Sequence, residues 1–430
     1  MQQPFRKSFF PSSTRGIILF VLPVAFITSE MRAQVAVRAG RKVEMRAPPA
    51  EPTPPPVPPK VRPAFARAAA VSDYLFGKDN AWDSTYDAIQ LWKKENHLPI
   101  SVGAHHWFHL DRDERIYGNG YGVPTESGTY YWYLGLDPAF ELKNNIFQEI
   151  GAHAQFRVRD DENDKLRAFY YNTYWFYEAY AYAKTKFGTF KAGQIVTQFG
   201  LPWDGTWWEG VPYFDGYKFD PDYGLSWEKT WKQSEHFSID TTAQFFFASD
   251  RVNGSIPGAD AESADNERNT GVIRLVPTWK LNDDLKIAWG FSALAGEIKG
   301  SRPGTDDARA VFGSDVTLSY KNFSIFAEYI DAFGAANPAR YVSGGPSDRV
   351  DSARAGVSYK YGPVTFHLNY SYGWDHNPGG HQFIFDPGLN VQLAKNLTFY
   401  AEYVKWDVTN RKGRTVKFDD GFELILVWNL

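Results

Sequence analysis

Apolar side chains recur at every second position through most of this chain, and that period restricts the fold more than any other feature. Between Asp419 and Leu430, the residues Phe422, Leu424, Leu426, Trp428 and Leu430 share one phase. Glu423 and Asn429 fall in the other phase, together with Ile425 and Val427. A strand sends alternate side chains to opposite faces, so this segment reads as a strand with one fully apolar face. The pattern returns upstream. Phe237, Ile239, Thr241, Ala243, Phe245 and Phe247 alternate with Ser238, Asp240, Thr242 and Gln244. Ala353, Ala355, Val357, Tyr359 and Tyr361 alternate with Ser352, Arg354, Gly356, Ser358 and Lys360, and Val364, Phe366, Leu368, Tyr370 and Tyr372 with Thr365, His367, Asn369 and Ser371. Such faces suit a sheet closed against lipid. Only helices and closed barrels cross a bilayer with every backbone polar group satisfied.

Composition separates the two. Aromatic residues make up 17% of the chain, with 25 Tyr and 15 Trp, the residues enriched where hydrocarbon meets headgroups. Mean hydropathy is nevertheless −0.43. No run of about 20 apolar residues exists for a spanning helix. A barrel turns half of each strand towards a wet lumen, so a low average fits it. Cys is absent, which excludes disulfides and thiolate metal sites. The net charge of −4 gives no basic excess for nucleic acid.

The first residues read as an address. Arg6, Lys7 and Arg15 precede the apolar stretch Gly16 to Ile27, and cleavage is expected near Ala33, as in a secretory signal peptide. Residues 34–78 then read as a Pro-rich, disordered periplasmic segment. Nine prolines between Ala47 and Pro63 favour extended polyproline II and cannot pack a core. Residues 79–97 hold one short helix. Asp83 or Ser84 is the expected cap of the run to Asn96, Trp82, Ile89 and Trp92 have partial helical spacing, and Leu98-Pro99 ends it. The helix is expected at the periplasmic mouth or inside the barrel that follows over 98–430.

Turn signals then count the strands. Short turns centre on Asn144-Asn145, Thr185-Lys186, Gln233-Ser234, Asn282-Asp283, Lys321-Asn322, Gly362-Pro363 and Lys395-Asn396. Longer polar connections lie near 111–128, 160–166, 199–221, 249–268, 299–308, 334–350, 375–381 and 409–415. Short turns at one end and long loops at the other require about 16 strands, with both barrel termini on the short-turn side. The expected fold class is all-β: a transmembrane antiparallel β-barrel, preceded by a short helix and a Pro-rich linker. Short periplasmic turns, longer external loops and an even strand number characterise bacterial outer-membrane barrels.

The inward phase names a lumen wall: Glu149, His153, Gln155, Arg157 and Arg159, then Arg274, Arg309 and Arg354, with Asp315, Glu328, Asn390 and Glu402. A charged residue facing lipid costs about 2–4 kcal/mol at midplane, which forces this phase. Such residues either select ions or simply balance charge in a wet lumen. The third long connection stands apart. Trp203, Trp207, Trp208, Tyr213, Phe214, Tyr217 and Phe219 lie within it, and such an apolar cluster needs cover. Folding into the barrel supplies cover, and would set Asp204, Glu209, Asp215 and Asp220 against the lumen arginines as a constriction. The aromatic faces either pack sugar rings or anchor the loop to the wall.

The strand count, the inward third loop and the helix before the first strand resemble general bacterial porins. Leu98-Pro99-Ile100-Ser101-Val102-Gly103 resembles the start of the barrel in the carbohydrate-selective porin family. Lys191-Ala-Gly-Gln-Ile-Val-Thr-Gln-Phe-Gly-Leu-Pro202 is similar to the strand-to-loop segment of the phosphate-selective porin family. The porin resemblance covers residues about 97–430 and implies a homotrimer in the outer membrane, assembled by machinery that reads the C-terminal strand. The chain ends in Leu430 where porins typically end in Phe or Trp. Its acids outnumber its bases, against the lysine-rich lumen that the phosphate-selective family implies.

The expected function is passive diffusion of small hydrophilic solutes, including carbohydrates. The alternatives are a plugged structural or adhesin barrel and an anion-selective (phosphate) porin. No enzyme is expected: G-x-S-x-G and H-E-x-x-H are absent. No cofactor or metal is expected either. His105 and His106 are adjacent and point to opposite faces, while His376 and His381 flank Gly379-Gly380 in a polar loop. The expected partners are outer-membrane lipid and small polar solutes or sugars, with no nucleic acid.

Overall fold

The structure is a computed structural model. It describes residues 81–111, 125–142, 146–160, 174–202, 206, 210, 218, 221–248, 267–298, 307–336, 347–376, 380–410 and 412–430. The signal-peptide and Pro-rich expectations lie outside these residues.

One helix, α1 (Ala81–Glu95), precedes the strands. These are β1 (Ile100–Asp111), β2 (Thr125–Leu136), β3 (Ala139–Glu141), β4 (Phe147–Asp160), β5 (Tyr174–Thr185) and β6 (Gly188–Val196). Next come β7 (Pro221–Lys232), β8 (Phe237–Ala248), β9 (Glu267–Lys280), β10 (Leu285–Ile298), β11 (Asp307–Tyr320) and β12 (Phe323–Ala336). The last are β13 (Ser347–Tyr361), β14 (Val364–Asp375), β15 (His381–Ala394), β16 (Leu397–Thr409) and β17 (Thr415–Asn429). Consecutive strands pair antiparallel, except β2 and β3, and β1 also pairs with β17. β2 and β3 both pair with β4, so they are one strand interrupted at Asp137-Pro138. The barrel therefore has 16 strands. Pro138 has no N–H for a ladder, yet its carbonyl still accepts from Ala152 N at 3.0 Å. Sequence reading did not anticipate this break.

Closure leaves no sheet edge in contact with lipid. Gly103 stands opposite Asn429, and Val102 and Leu430 exchange backbone hydrogen bonds of 2.9 and 2.6 Å. Both barrel termini thus meet at the short-turn end, as expected. Six of the seven short turns fall where the sequence put them, and Asn144-Asn145 lies outside the described residues. Asn282 shows why such residues turn the chain: its Oδ1 accepts from both Asp284 N and Leu285 N at 2.9 Å. The long connections fall between the expected strands, although β5 is described only from Tyr174.

The two faces separate as the alternation requires. On β14, Phe366, Leu368 and Tyr370 are 40–48% exposed, while His367 and Ser371 are 8% and 3% exposed. The same phase puts Phe245 and Phe247 outside and Phe246 inside. Phe246 joins an apolar belt on the inner wall with Val272, Leu294, Val311, Ile330 and Val350. The interior is therefore not polar throughout, a correction to the wet-wall expectation.

α1 differs from its reading. It is already helical at Ala81, so Asp83 and Ser84 lie in its first turn and do not precede it. Asp83 Oδ1 instead accepts from Lys395 N at 2.6 Å, and Asp87 Oδ2 accepts from Lys395 Nζ at 2.5 Å. These bonds dock α1 on the β15–β16 turn, at the short-turn end. Trp92 is 54% exposed, so the apolar spacing does not bury it. The helix ends one turn before Leu98-Pro99. His97, with φ of 51°, takes the left-handed position, and Leu98 N and His97 N donate to Lys93 O and Lys94 O.

Candidate functional site

The third long connection leaves β6 and returns at β7, and its described residues lie against the far inner wall. Gln198 N donates to Gln244 Oε1 at 2.7 Å, and Gln244 Nε2 returns a bond to Val196 O. Phe199 joins the apolar belt and lies over Gly313 of β11, where an added Cβ would sit 3.0 Å from its ring. Gly200 N donates to Ser292 Oγ on β10. Gly200 has φ of +67°, and a Cβ there would come within 2.2 Å of Glu328 Oε1, so only glycine fits. Farther on, Gly210 sits beside Ser371 of β14.

A buried charge cluster fixes this crossing. Glu328 of β12 accepts from Lys218 Nζ (2.5 Å), Arg354 Nε (2.7 Å) and Leu201 N (2.6 Å). Lys218 Nζ also donates to Leu201 O, tying the start of the connection to its end. The three side chains are 2% exposed or less. One anion between two cations, with hydrogen bonds to each, is the arrangement in which buried charges persist. Next to it, Arg274 grips Asp315 through two bonds of 2.6 and 3.0 Å and donates to Ser292 Oγ. Asp315 and Glu328 are opposite one another on β11 and β12.

The wall residues read from sequence therefore fall into two groups. Arg274, Arg309, Arg354 and Glu402 face inward but are buried, with 8% exposure or less. Glu149, His153 and Arg157 face inward on β4 and are half-buried. Glu149 binds Lys184 Nζ at 2.8 Å and Tyr182 Oη at 2.7 Å. His153 Nδ1 lies 2.5 Å from Asp137, and Arg157 stacks 3.4 Å above the Tyr177 ring. Arg159 belongs to β4, with its side chain outside those described. The constriction residues Trp203, Asp204, Trp207, Trp208, Glu209, Tyr213, Asp215 and Tyr217 also lie outside the described residues. Among the described residues the loop charge facing an arginine is not an acid. It is Lys218, which shares Glu328 with Arg354. The sequence reading gave Lys218 and Phe199 no contact with the wall, although Phe199-Gly200 lies in the Lys191–Pro202 segment singled out there.

At the long-loop end, Arg349 is bidentate on Asp331 (3.0 and 2.9 Å), and His376 Nε2 lies 2.9 Å from Asp351. His381, the first residue of β15, stacks on Tyr372, so His376 and His381 go to different partners. At the opposite end, the hydrogen bond to Asp87 raises the pKa of Lys395 above the ordinary lysine value.

Among solved structures, the chain is similar to the trimer form of OmpT, an outer membrane protein of Vibrio cholerae, with a TM-score of 0.52 and 12% identity. That alignment covers 77% of this chain and 98% of the other. The fold is that of a bacterial outer-membrane porin. The outer membrane channel DcaP of Acinetobacter baumannii aligns with a TM-score of 0.53 at 12% identity, over 77% of this chain and 95% of the other. An anion-selective porin from Comamonas acidovorans gives 0.51 at 10% identity, over 77% and 97%. No protein-family model and no curated protein matches the sequence. At these identities the likeness concerns the porin fold.

Proposed function

We propose that the chain is an outer-membrane channel for passive diffusion of small hydrophilic solutes, narrowed by its third long connection. The observation that carries this reading is the Lys218–Glu328–Arg354 cluster, which ties that connection to the wall opposite its own strands. A loop held there occupies cross-section that a solute must pass. Trp203, Trp207, Trp208, Tyr213 and Tyr217 belong to the same segment and supply the aromatic faces on which sugar rings slide. Asp204, Glu209 and Asp215 supply polar partners for hydroxyls, and Glu149, His153, Arg157 and Arg159 line the opposite wall. Phosphate is disfavoured, because Arg274 and Arg354 already hold carboxylates.

The proposal includes export through the N-terminal leader, assembly through β17 and a homotrimer. Outward Ala179, Ala181 and Ala183 on β5 and Ala192 on β6 give a smooth strip that supports close subunit contact. No turnover is assigned, and no nucleophile–base motif argues for one. Swelling of liposomes containing the refolded protein tests the reading. Small neutral sugars are expected to enter, with rates falling as the sugar lengthens. Equal exclusion of every sugar from liposomes holding correctly folded barrels would overturn it in favour of a plugged structural or adhesin barrel.

A further inference from the structure

Below the charge cluster, three side chains from successive strands converge on the inner wall. They are His367 of β14, Asp386 of β15 and Glu402 of β16, all buried. One ligand atom from each lies within 4.8 Å of the others, and His367 Nε2 is 3.5 Å from Glu402 Oε1. The register explains the meeting. Gly388 stands opposite both His367 and Glu402, and Asp386 lies two residues earlier on the same face.

Two further observations point to a ligand. Neither ring nitrogen of His367 has a hydrogen-bond partner, although the side chain is only 4% exposed. A buried imidazole normally satisfies at least one nitrogen. On the middle of the three strands, Gly388 is the residue that leaves room. A Cβ at Gly388 would come within 2.5 Å of His367 Nε2 and 2.7 Å of Glu402 Cγ.

We propose that His367, Asp386 and Glu402 bind a divalent transition-metal ion of the Zn²⁺ type on the barrel's inner wall. Two donors about 2.1 Å from such an ion, at a near-tetrahedral angle, are about 3.5 Å apart. One imidazole with two carboxylates suits zinc and its first-row neighbours, whereas magnesium and calcium favour oxygen alone. The ion places two positive charges between two carboxylates and gives His367 the partner that the protein does not supply. This assignment departs from the sequence reading, which expected no metal, because no motif joins residues on three different strands. It rests on the geometry of the inner wall and stands whether or not the barrel conducts.

The test uses the full refolded chain in detergent, stripped with chelator and titrated with ZnCl₂ alone. Calorimetry and elemental analysis are expected to give one Zn²⁺ per chain. His367→Gln and Glu402→Gln are each expected to weaken binding at least tenfold, and Gly388→Ala to do the same by filling the space. Heat-modifiability on gels confirms that each variant is a folded barrel. His381→Ala is expected to leave binding unchanged. Absence of stoichiometric binding by the parent protein would overturn the proposal. So would binding that survives His367→Gln but is lost in His381→Ala, since that locates the ion at the long-loop end of β15.

Discussion

Glu328→Gln removes the single charge on which the inward connection depends. The carboxylate meets two buried cations and a backbone N–H at 2.5–2.7 Å. The amide keeps the shape and one acceptor oxygen but turns an NH₂ towards Lys218 or Arg354, and leaves both cations without their anion. Breaking a buried pair in this way costs about 3–5 kcal/mol. The cost does not fall on the barrel, whose ladder closes without the connection. It falls on docking of the connection, so the released population should rise about 10²- to 4 × 10³-fold at 1.4 kcal/mol per decade. Hydrogen exchange across 197–220, with trypsin cleavage after Lys218, reads that population. The side chain of Lys218 is 1% exposed in the docked state, and trypsin should cut there only in the variant. Unchanged exchange and unchanged cleavage in a folded Glu328→Gln barrel would refute the argument that this cluster holds the connection. Lys218→Met added to Glu328→Gln removes one orphaned cation, so the double variant should lose less than the sum of the singles.

Phe199→Ala takes a ring out of the inner apolar belt; it should loosen the same connection by about 3–5 kcal/mol, seen as faster exchange over 197–202 with β10–β13 unchanged. Arg274→Met leaves Asp315 buried without its bidentate partner, and should lower the denaturant midpoint of the barrel by an amount equivalent to about 3–5 kcal/mol. The raised pKa of Lys395 predicts a pH effect at α1. Because the folded value lies above the unfolded one, the contribution is complete below the ordinary lysine value near ~10.4 and is lost as pH rises through the raised value. Exchange of α1 amides should therefore increase only in strong alkali, and Lys395→Ala should show that increase at neutral pH.

The fold was legible because lipid imposes the period. A strand such as Val364–Asp375 cannot put Phe366 or Leu368 inward without putting His367 and Asn369 into hydrocarbon. Asn282-Asp283 and Gly362-Pro363 mark turns through local chemistry, which a sequence window contains. The interior was less legible, since nothing from outside enforces its pattern. Phe245, Phe246 and Phe247 are three aromatics in a row, and only the register shows that the middle one builds an inner belt. Lys218 finds Glu328 at a separation of 110 residues, and Arg274 finds Asp315 at 41. No local spacing encodes such pairs. The burial of Arg274 and Arg354 and their pairing with Asp315 and Glu328 follow from the closed cylinder. The break at Asp137-Pro138 carried a visible proline, yet β3 resumes the same pairing after it, which composition cannot reveal.

Single-channel current across a planar bilayer tests the central claim most directly, using the refolded chain in salt with neutral oligosaccharide and phosphate added in turn. The account predicts steady conductance that oligosaccharide interrupts and phosphate does not, with larger conductance for Glu328→Gln as its connection leaves the wall. A folded, heat-modifiable barrel that carries no current in either form would contradict it.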